Sequence, residues 1–323
     1  MSRHRLICIN RIKRVCSYAS WTRCDFGGSD VMCGKGWLGL CVLTLCILFL
    51  GSVGPRANAQ SRPNILLIVV DDMGYSDLGP FGGEIDTGTI DQLANEGLRL
   101  TSFYASPSCA PTRSMLMTGA DNHMAGLGNQ KEAMTDNQIG QPGYEGHIND
   151  RVVTVATLLR DAGYHTYMAG KWHLGEDVEQ DPFNRGFERA FTLLQGGASH
   201  FGDEWMMYAN YTPIYRENGV RTHVPYDFYS SEFYADKIME YIDSVDDGQP
   251  FFAYLSLTAP HDPLHLPDDW LDRYRGRYHG GDERLREERL ERMKSLGIVP
   301  EGTELSRPAP MIPEWNSLDE SQR

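Results

Sequence analysis

Residues 64–70 read Asn-Ile-Leu-Leu-Ile-Val-Val, a continuous apolar run that predicts a parallel strand covered on both faces and ended by Asp71-Asp72. Residues 89–96 carry helical spacing, with Thr89 or Asp91 near the start and Gly97 at the end, and residues 100–104 predict the next strand. That strand leads into Ser108-Cys109-Ala110-Pro111-Thr112-Arg113, whose continuation, residues 114–118, is apolar and helix-like and is closed by Gly119. Residues 154–162 predict an amphipathic helix stopped by Gly163, and residues 165–169 a strand followed by Gly170-Lys171-Trp172-His173. A further helix is expected over 233–245 and a further strand over 251–257, leading to Ala259-Pro260-His261. Strand and helix alternate, so the expected fold is α/β: a mainly parallel sheet sandwiched by helices.

Each unusual polar cluster follows the carboxyl end of an expected strand, the edge where open α/β sheets bind ligands. Singly these signals are weak. An Asp pair after a strand is commonly a helix cap, and a lysine or histidine in a loop is commonly only solvated. Four clusters converging on one edge point to a site.

The first 59 residues form a leader. Residues 37–50 are a fourteen-residue apolar run, preceded by Lys35 and followed by Ala57-Asn58-Ala59 ahead of Gln60. Spanning a bilayer takes about 20 apolar residues, so the pattern predicts a secretory signal peptide, with an uncleaved anchor as the alternative. Met32 would begin a leader of ordinary length. The expected location is the periplasm or the cell exterior, with no stable membrane anchor. The 263 residues from 61 onward hold 22 basic and 42 acidic side chains, a formal charge of −20, which argues against a nucleic-acid or anionic-membrane partner. An anionic substrate would need a local basic pocket.

Six of the seven cysteines, at positions 8, 16, 24, 33, 41 and 46, lie in the leader, so Cys109 has no disulfide partner in the exported part. A lone cysteine is ordinarily a small buried apolar residue. Its place at a helix N-terminus, with Arg113 one turn on, instead suggests a chemical role in a setting that favours an anion.

Cys109-Ala110-Pro111-Thr112-Arg113-Ser114-Met115-Leu116-Met117-Thr118-Gly119 resembles the sulfatase signature, C-x-P-x-R followed by x-x-L-x-T-G. Gly163-Tyr164-His165-Thr166 with Gly170-Lys171-Trp172-His173-Leu174-Gly175 resembles the second signature of that family. The similarity runs from Arg62 to the chain end and is closest to bacterial arylsulfatases, taking in residues 64–72, Gly143-Tyr144-Glu145-Gly146-His147 and residues 256–263. It implies an alkaline-phosphatase-like α/β fold, with hydrolysis of aryl sulfate esters to an alcohol or phenol and sulfate.

The resemblance also implies the chemistry. A formylglycine-generating enzyme would oxidise Cys109 to formylglycine, whose hydrated aldehyde carries two hydroxyls: one attacks sulfur, the other loses its proton to expel sulfate. Asp71, Asp72 and the modified residue 109 would hold one divalent cation, Ca²⁺, which takes about 6 to 8 oxygen ligands. Arg113 would hold the formylglycine hydroxyl, Lys171 a sulfate oxygen, and His173 the formylglycine; His261 would protonate the leaving oxygen or bind sulfate. Lys171 and His173 are expected on one side of an extended segment, with Trp172 turned into the core.

Relatives supply an Asp-Asn pair after a later strand, a further lysine and a smaller C-terminal domain. The Asp-Asn pairs here, Asp121-Asn122 and Asp136-Asn137, fall in polar loops of a different stretch. Residues 60–323 are therefore expected to be the N-terminal part of a catalytic domain, and the alternatives to sulfate ester hydrolysis are a phosphonate or phosphate monoester hydrolase of the same fold and a truncated, non-catalytic protein. His265 and His279 are expected at the surface, and residues 282–294, with five acids and five bases, as a solvated, salt-bridged helix. Asn210-Tyr211-Thr212 matches a glycosylation sequon by pattern alone.

Overall fold

The computed structural model describes residues 62–204 and 212–323. The expected leader and signal peptide, and Asn210 and Tyr211 of the sequon pattern, lie outside them. The strands are β1 (Ile65–Val69), β2 (His165–Lys171), β3 (Arg189–Leu193), β4 (Tyr215–Glu217), β5 (Val220–Thr222) and β6 (Phe251–Ser256). They form a six-stranded sheet in the order β1-β6-β2-β3-β4-β5. The pairs β1/β6, β6/β2 and β2/β3 are parallel, and β3/β4 and β4/β5 antiparallel. The expected α/β architecture is the one observed. The strands β3 to β5 are additions that the apolar pattern did not reveal: β4 and β5 are three residues each, and Arg216, Glu217 and Arg221 break their apolar character.

The helices are α1 (Gly88–Glu96), α2 (Cys109–Thr118), α3 (Val155–Asp161), α4 (Ser230–Asp243) and α5 (Gly281–Ser295). Alternation along the parallel strands divides the core in two. Met168, Phe252 and Tyr254 point to one face and pack with Ala110 and Met117 of α2 and Ala156 of α3. Tyr167, Ala169, Ala253 and Leu255 point to the other and meet Tyr234, Ile238 and Tyr241 of α4. Thr154 starts α3 by accepting from the Thr157 N–H at 3.1 Å, as its place before the apolar run suggests.

Four expectations are corrected. Residues 100–104 form no strand: Leu100, Phe103 and Tyr104 are exposed, and nothing among the described strands pairs with them. Among the described residues β1 is not covered on both faces. It is an edge strand whose Ile65, Leu67 and Val69 join the core while Leu66 and Ile68 stand about half exposed. α5 is more than a solvated helix. Its Arg289 reaches the buried Glu84 at 2.7 Å and Asp77 at 2.6 Å, and Arg292 donates to the Gly82 carbonyl at 2.6 Å, so cross-chain charge docks this helix. His265 is partly buried, its ring stacked on Phe201 with centroids 5.6 Å apart. Among the described residues no helix is long and apolar enough to cross a membrane.

Register brings the site together. Val69 of β1 and Gly170 of β2 both lie level with Ser256 of β6, and Lys171 lies level with Leu193 of β3. The carboxyl ends of four adjacent parallel strands thus form one ledge. β2 runs two residues further than its apolar stretch suggests, because Gly170 (φ 115°) lets the strands close: a Cβ there would stand 1.8 Å from the Ser256 carbonyl oxygen.

Candidate active site

Helix α2 begins at Cys109, with Ser108 in extended conformation before it. Pro111 costs nothing there, since first-turn amides have no intrahelical acceptor. The buried face of α2 is Ala110, Arg113, Ser114 and Met117, a helical stripe that carries one cation into the core. Arg113 is 2% exposed, yet both Nη atoms of its fork are engaged. It donates to Ser256 Oγ at 2.6 Å, the Lys171 carbonyl at 3.1 Å and Tyr254 Oη at 3.2 Å, and pairs with Asp71 Oδ1 at 3.2 Å.

The other Asp71 oxygen takes the ammonium of Lys171, whose side chain is fully buried at the end of β2. One carboxylate thus bridges two buried cations, so none of the three charges is buried without a partner. Burial pushes the Asp71 carboxyl upward, but Arg113 and Lys171 outweigh it and hold the group below the usual carboxylate range. Arg113 stays charged despite its burial, because Tyr254 and Asp71 favour the cation.

The Cys109 thiol is partly buried, and that burial pushes its pKa up, against the pull of Lys171. The helix N-terminus therefore does not deliver a ready thiolate here, contrary to the anion-favouring setting inferred from sequence. Desolvation wins over the cations because Asp71 and Asp72, also nearby, oppose them. Ligand atoms of Asp71, Cys109 and His261 all lie within 4.8 Å of one another, and so do those of Asp72, His261 and Asp262. His261 therefore stands between the two aspartates. Its Nε2 is 3.7 Å from Asp72 Oδ2, and its Nδ1 is 2.7 Å from the Asp262 carbonyl, which assigns the Nδ1 proton.

Trp172 packs into the core, 1% exposed, donating to the Gln180 carbonyl at 2.9 Å. His173 does not continue an extended segment. Its φ is +59°, and its buried ring puts Nε2 at 2.9 Å from Glu132. Asp72 also has positive φ, 59°, which turns its carboxylate toward solvent and His261. Asp121 is exposed and accepts from the His123 N–H, and Asn122 donates to the Leu127 carbonyl, so this pair serves its own loop. Glu132, Tyr254 and Ser256 were not visible as site residues in the sequence. Tyr254 and Ser256 read there as part of a strand, and nothing in the sequence singled out Glu132.

Cys109, Glu132, His173, Gln195, Gly196 and His261 line a cavity of about 430 Å³ beside this cluster. Cations and a carboxylate at the carboxyl edge of a parallel sheet, with a cysteine on a helix start and two histidines, lie where open α/β folds place their ligand sites. The chain belongs to the sulfatase family, whose family model matches residues 63–305.

It is 44% identical over 272 residues to an arylsulfatase of Klebsiella aerogenes, covering 84% of this chain and 58% of that protein. An uncharacterized sulfatase of Schizosaccharomyces pombe is 43% identical over 282 residues, covering 82% and 50% respectively. Among solved structures, the PsFucS1 sulfatase from Pseudoalteromonas sp. superposes with a TM-score of 0.51 at 27% identity, covering 80% of this chain and 53% of that one. The chain thus spans about half the length of the curated relatives it matches.

Proposed function

We propose that this protein hydrolyses sulfate esters, aryl sulfates among them, through a formylglycine made from Cys109. The observation that carries the reading is the meeting of Cys109, Asp71, Arg113, Lys171 and His261 at one strand edge. The similarity to an arylsulfatase supports the aryl substrate.

Each residue has a task that its surroundings allow. Lys171 is a buried cation on a flexible four-carbon stem, whose ammonium would turn from Asp71 to a sulfate oxygen. Arg113, locked by its four partners, supplies fixed positive charge beneath residue 109. His261 holds a proton at Nδ1 against Asp262 and presents Nε2 beside Asp72, where protonation would let it serve the leaving oxygen. A phenolate leaving group asks little of that acid.

Asp71, Asp72 and the oxygen that oxidation would place at residue 109 supply part of the oxygen donors that a hard divalent cation such as Ca²⁺ takes. Carboxylates suit it, a thiol does not, and oxidation of Cys109 replaces sulfur by oxygen at the point where the Asp71, Cys109 and His261 donors converge. Asp71, Asp72 and residue 109 would hold the ion, which when bound offsets negative charge on the sulfuryl group. Export to the periplasm or cell exterior, where the leader would deliver the chain, completes the reading.

The test is to produce the protein with and without a formylglycine-generating enzyme. The tryptic peptide holding Cys109 should become about 18 Da lighter with it, as thiol-to-aldehyde oxidation requires. Hydrolysis of a nitrophenyl sulfate should appear only in the converted protein and vanish in Cys109→Ala. Turnover that survives Cys109→Ala sinks the mechanism, and preference for a nitrophenyl phosphate or phosphonate moves the protein to that ester class.

A further inference from the structure

Glu132 stands on a short 3-10 turn, Lys131–Ala133, in the loop between α2 and α3. The loop is pinned beside the nucleophile position, since Ser108 Oγ, one residue before Cys109, donates to Gln130 Oε1 at 2.6 Å. Two residues on, Glu132 Oε1 lies 2.9 Å from Nε2 of His173. A glutamate about half exposed beside a histidine is ordinarily a surface pair of little consequence.

Three features set this one apart. The His173 side chain is 10% exposed, so the contact is made to a desolvated ring. Its Nδ1 is buried and has no hydrogen-bond partner among the described residues, a vacancy that is costly in a folded protein. Gly196 closes over the pair: a Cβ there would come within 2.7 Å of His173 Cε1 and 3.1 Å of Glu132 Oε1, so a hydrogen is all that fits.

We propose that Glu132 is a positioning residue, whose carboxylate accepts the Nε2–H of His173, fixes that tautomer and ring orientation, and leaves Nδ1 as a lone-pair acceptor for a hydroxyl borne by residue 109. Burial holds the His173 imidazole below its usual range, so the ring is neutral and carries one proton. Burial also pushes Glu132 upward, but its bond to His173 outweighs this and keeps it an anion, able only to accept. The single ring proton therefore sits on Nε2. Carboxylates that orient a working imidazole in this way are a recurrent device of active sites. The identity of the hydroxyl rests on the sulfatase reading; the tautomer does not.

The experiment uses the full chain labelled with ¹⁵N-histidine, the His173 signals being assigned by their loss in His173→Gln. The native protein should show a protonated Nε2 and a bare Nδ1. Glu132→Ala should lose that preference, whereas Glu132→Gln, whose amide oxygen still accepts, should keep it. In the converted protein, Glu132→Ala should lower kcat by on the order of tenfold, the scale at which such orienting partners act. KM should stay within about twofold, and Glu132→Gln should recover most of the rate. A native Nδ1–H tautomer, an unchanged tautomer in Glu132→Ala, a loss expressed in KM alone, or no recovery in Glu132→Gln overturns the proposal. Should the tautomer behave as expected while the native protein hydrolyses no sulfate ester, the sulfatase reading fails and the positioning role stands.

Discussion

Replacing Asp71 by Asn tests the buried charge cluster. Asp71 is 6% exposed and faces Arg113 and Lys171, which are 2% and 0% exposed. The amide keeps the shape and removes the one anion that both cations share. Removing one partner of a buried pair costs roughly 3–5 kcal/mol. Arg113 keeps Ser256, Tyr254 and the Lys171 carbonyl, so about 4 kcal/mol, the middle of that range, is the working figure. At about 2–4 °C per kcal/mol for a domain of this size, the melting temperature should fall by roughly 8–16 °C.

The same change should create an anion site. Sulfate at a hundred times its Kd should return about 2.7 kcal/mol to the variant, and much less to the native protein, where Asp71 already holds the cations. The pH dependence has a definite sign. The Asp71 pKa is lowered on folding, so its contribution is present above the ordinary 3.8 and is lost as pH falls through the lower folded value. Asp71→Asn should lack that part of the acid limb. The assay is calorimetric melting of both proteins, with and without sulfate, over an acid series. A variant melting within about 2 °C of the native protein, or equal stabilisation of both by sulfate, refutes the idea that two buried cations depend on this one carboxylate.

Further outcomes are expected. Gly170→Ala puts a methyl group 1.8 Å from the Ser256 carbonyl oxygen at a φ of 115°, so it should cost more than about 4 kcal/mol and abolish soluble expression; a folded variant with normal melting would contradict the strand contact. Burial pushes Glu84 upward, but hydrogen bonds from Arg289 and Tyr278 outweigh it and bring its pKa to about 2 from 4.5. Its contribution is therefore complete above pH 4.5 and disappears as pH falls toward 2, on the order of 2–3 kcal/mol. Glu84→Gln should flatten stability over that interval, and an unchanged acid limb would show that α5 docks by other means.

How much of this was legible in the chain follows from the range of the forces involved. Runs such as Ile65–Val69, Val155–Asp161 and Phe251–Ser256 announce their elements locally, because apolar periodicity is set by which faces must leave water. The motif around Cys109 likewise carries its own helix start, and its spacing places Arg113 on the buried stripe of α2. Residues 100–104 show the limit: an apolar stretch is a strand only if a neighbour supplies its hydrogen bonds, and no described strand does. The short β4 and β5 form for the converse reason. Despite charged side chains they are paired in turn onto β3.

The sequence by itself determined the class of fold, the family signatures and the set of polar residues at the carboxyl ends of strands. Tertiary structure decided what those residues do to one another. That Asp71 meets both Arg113 and Lys171, that the Cys109 thiol is pushed up by burial, and that Glu132 finds His173 depend on partners 38 to 100 positions apart along the chain, which only packing brings within a few ångströms. Charge and hydrogen-bond energies change steeply over that distance and with the dielectric around them, so residue identity and spacing name the candidates while burial and geometry assign the chemistry.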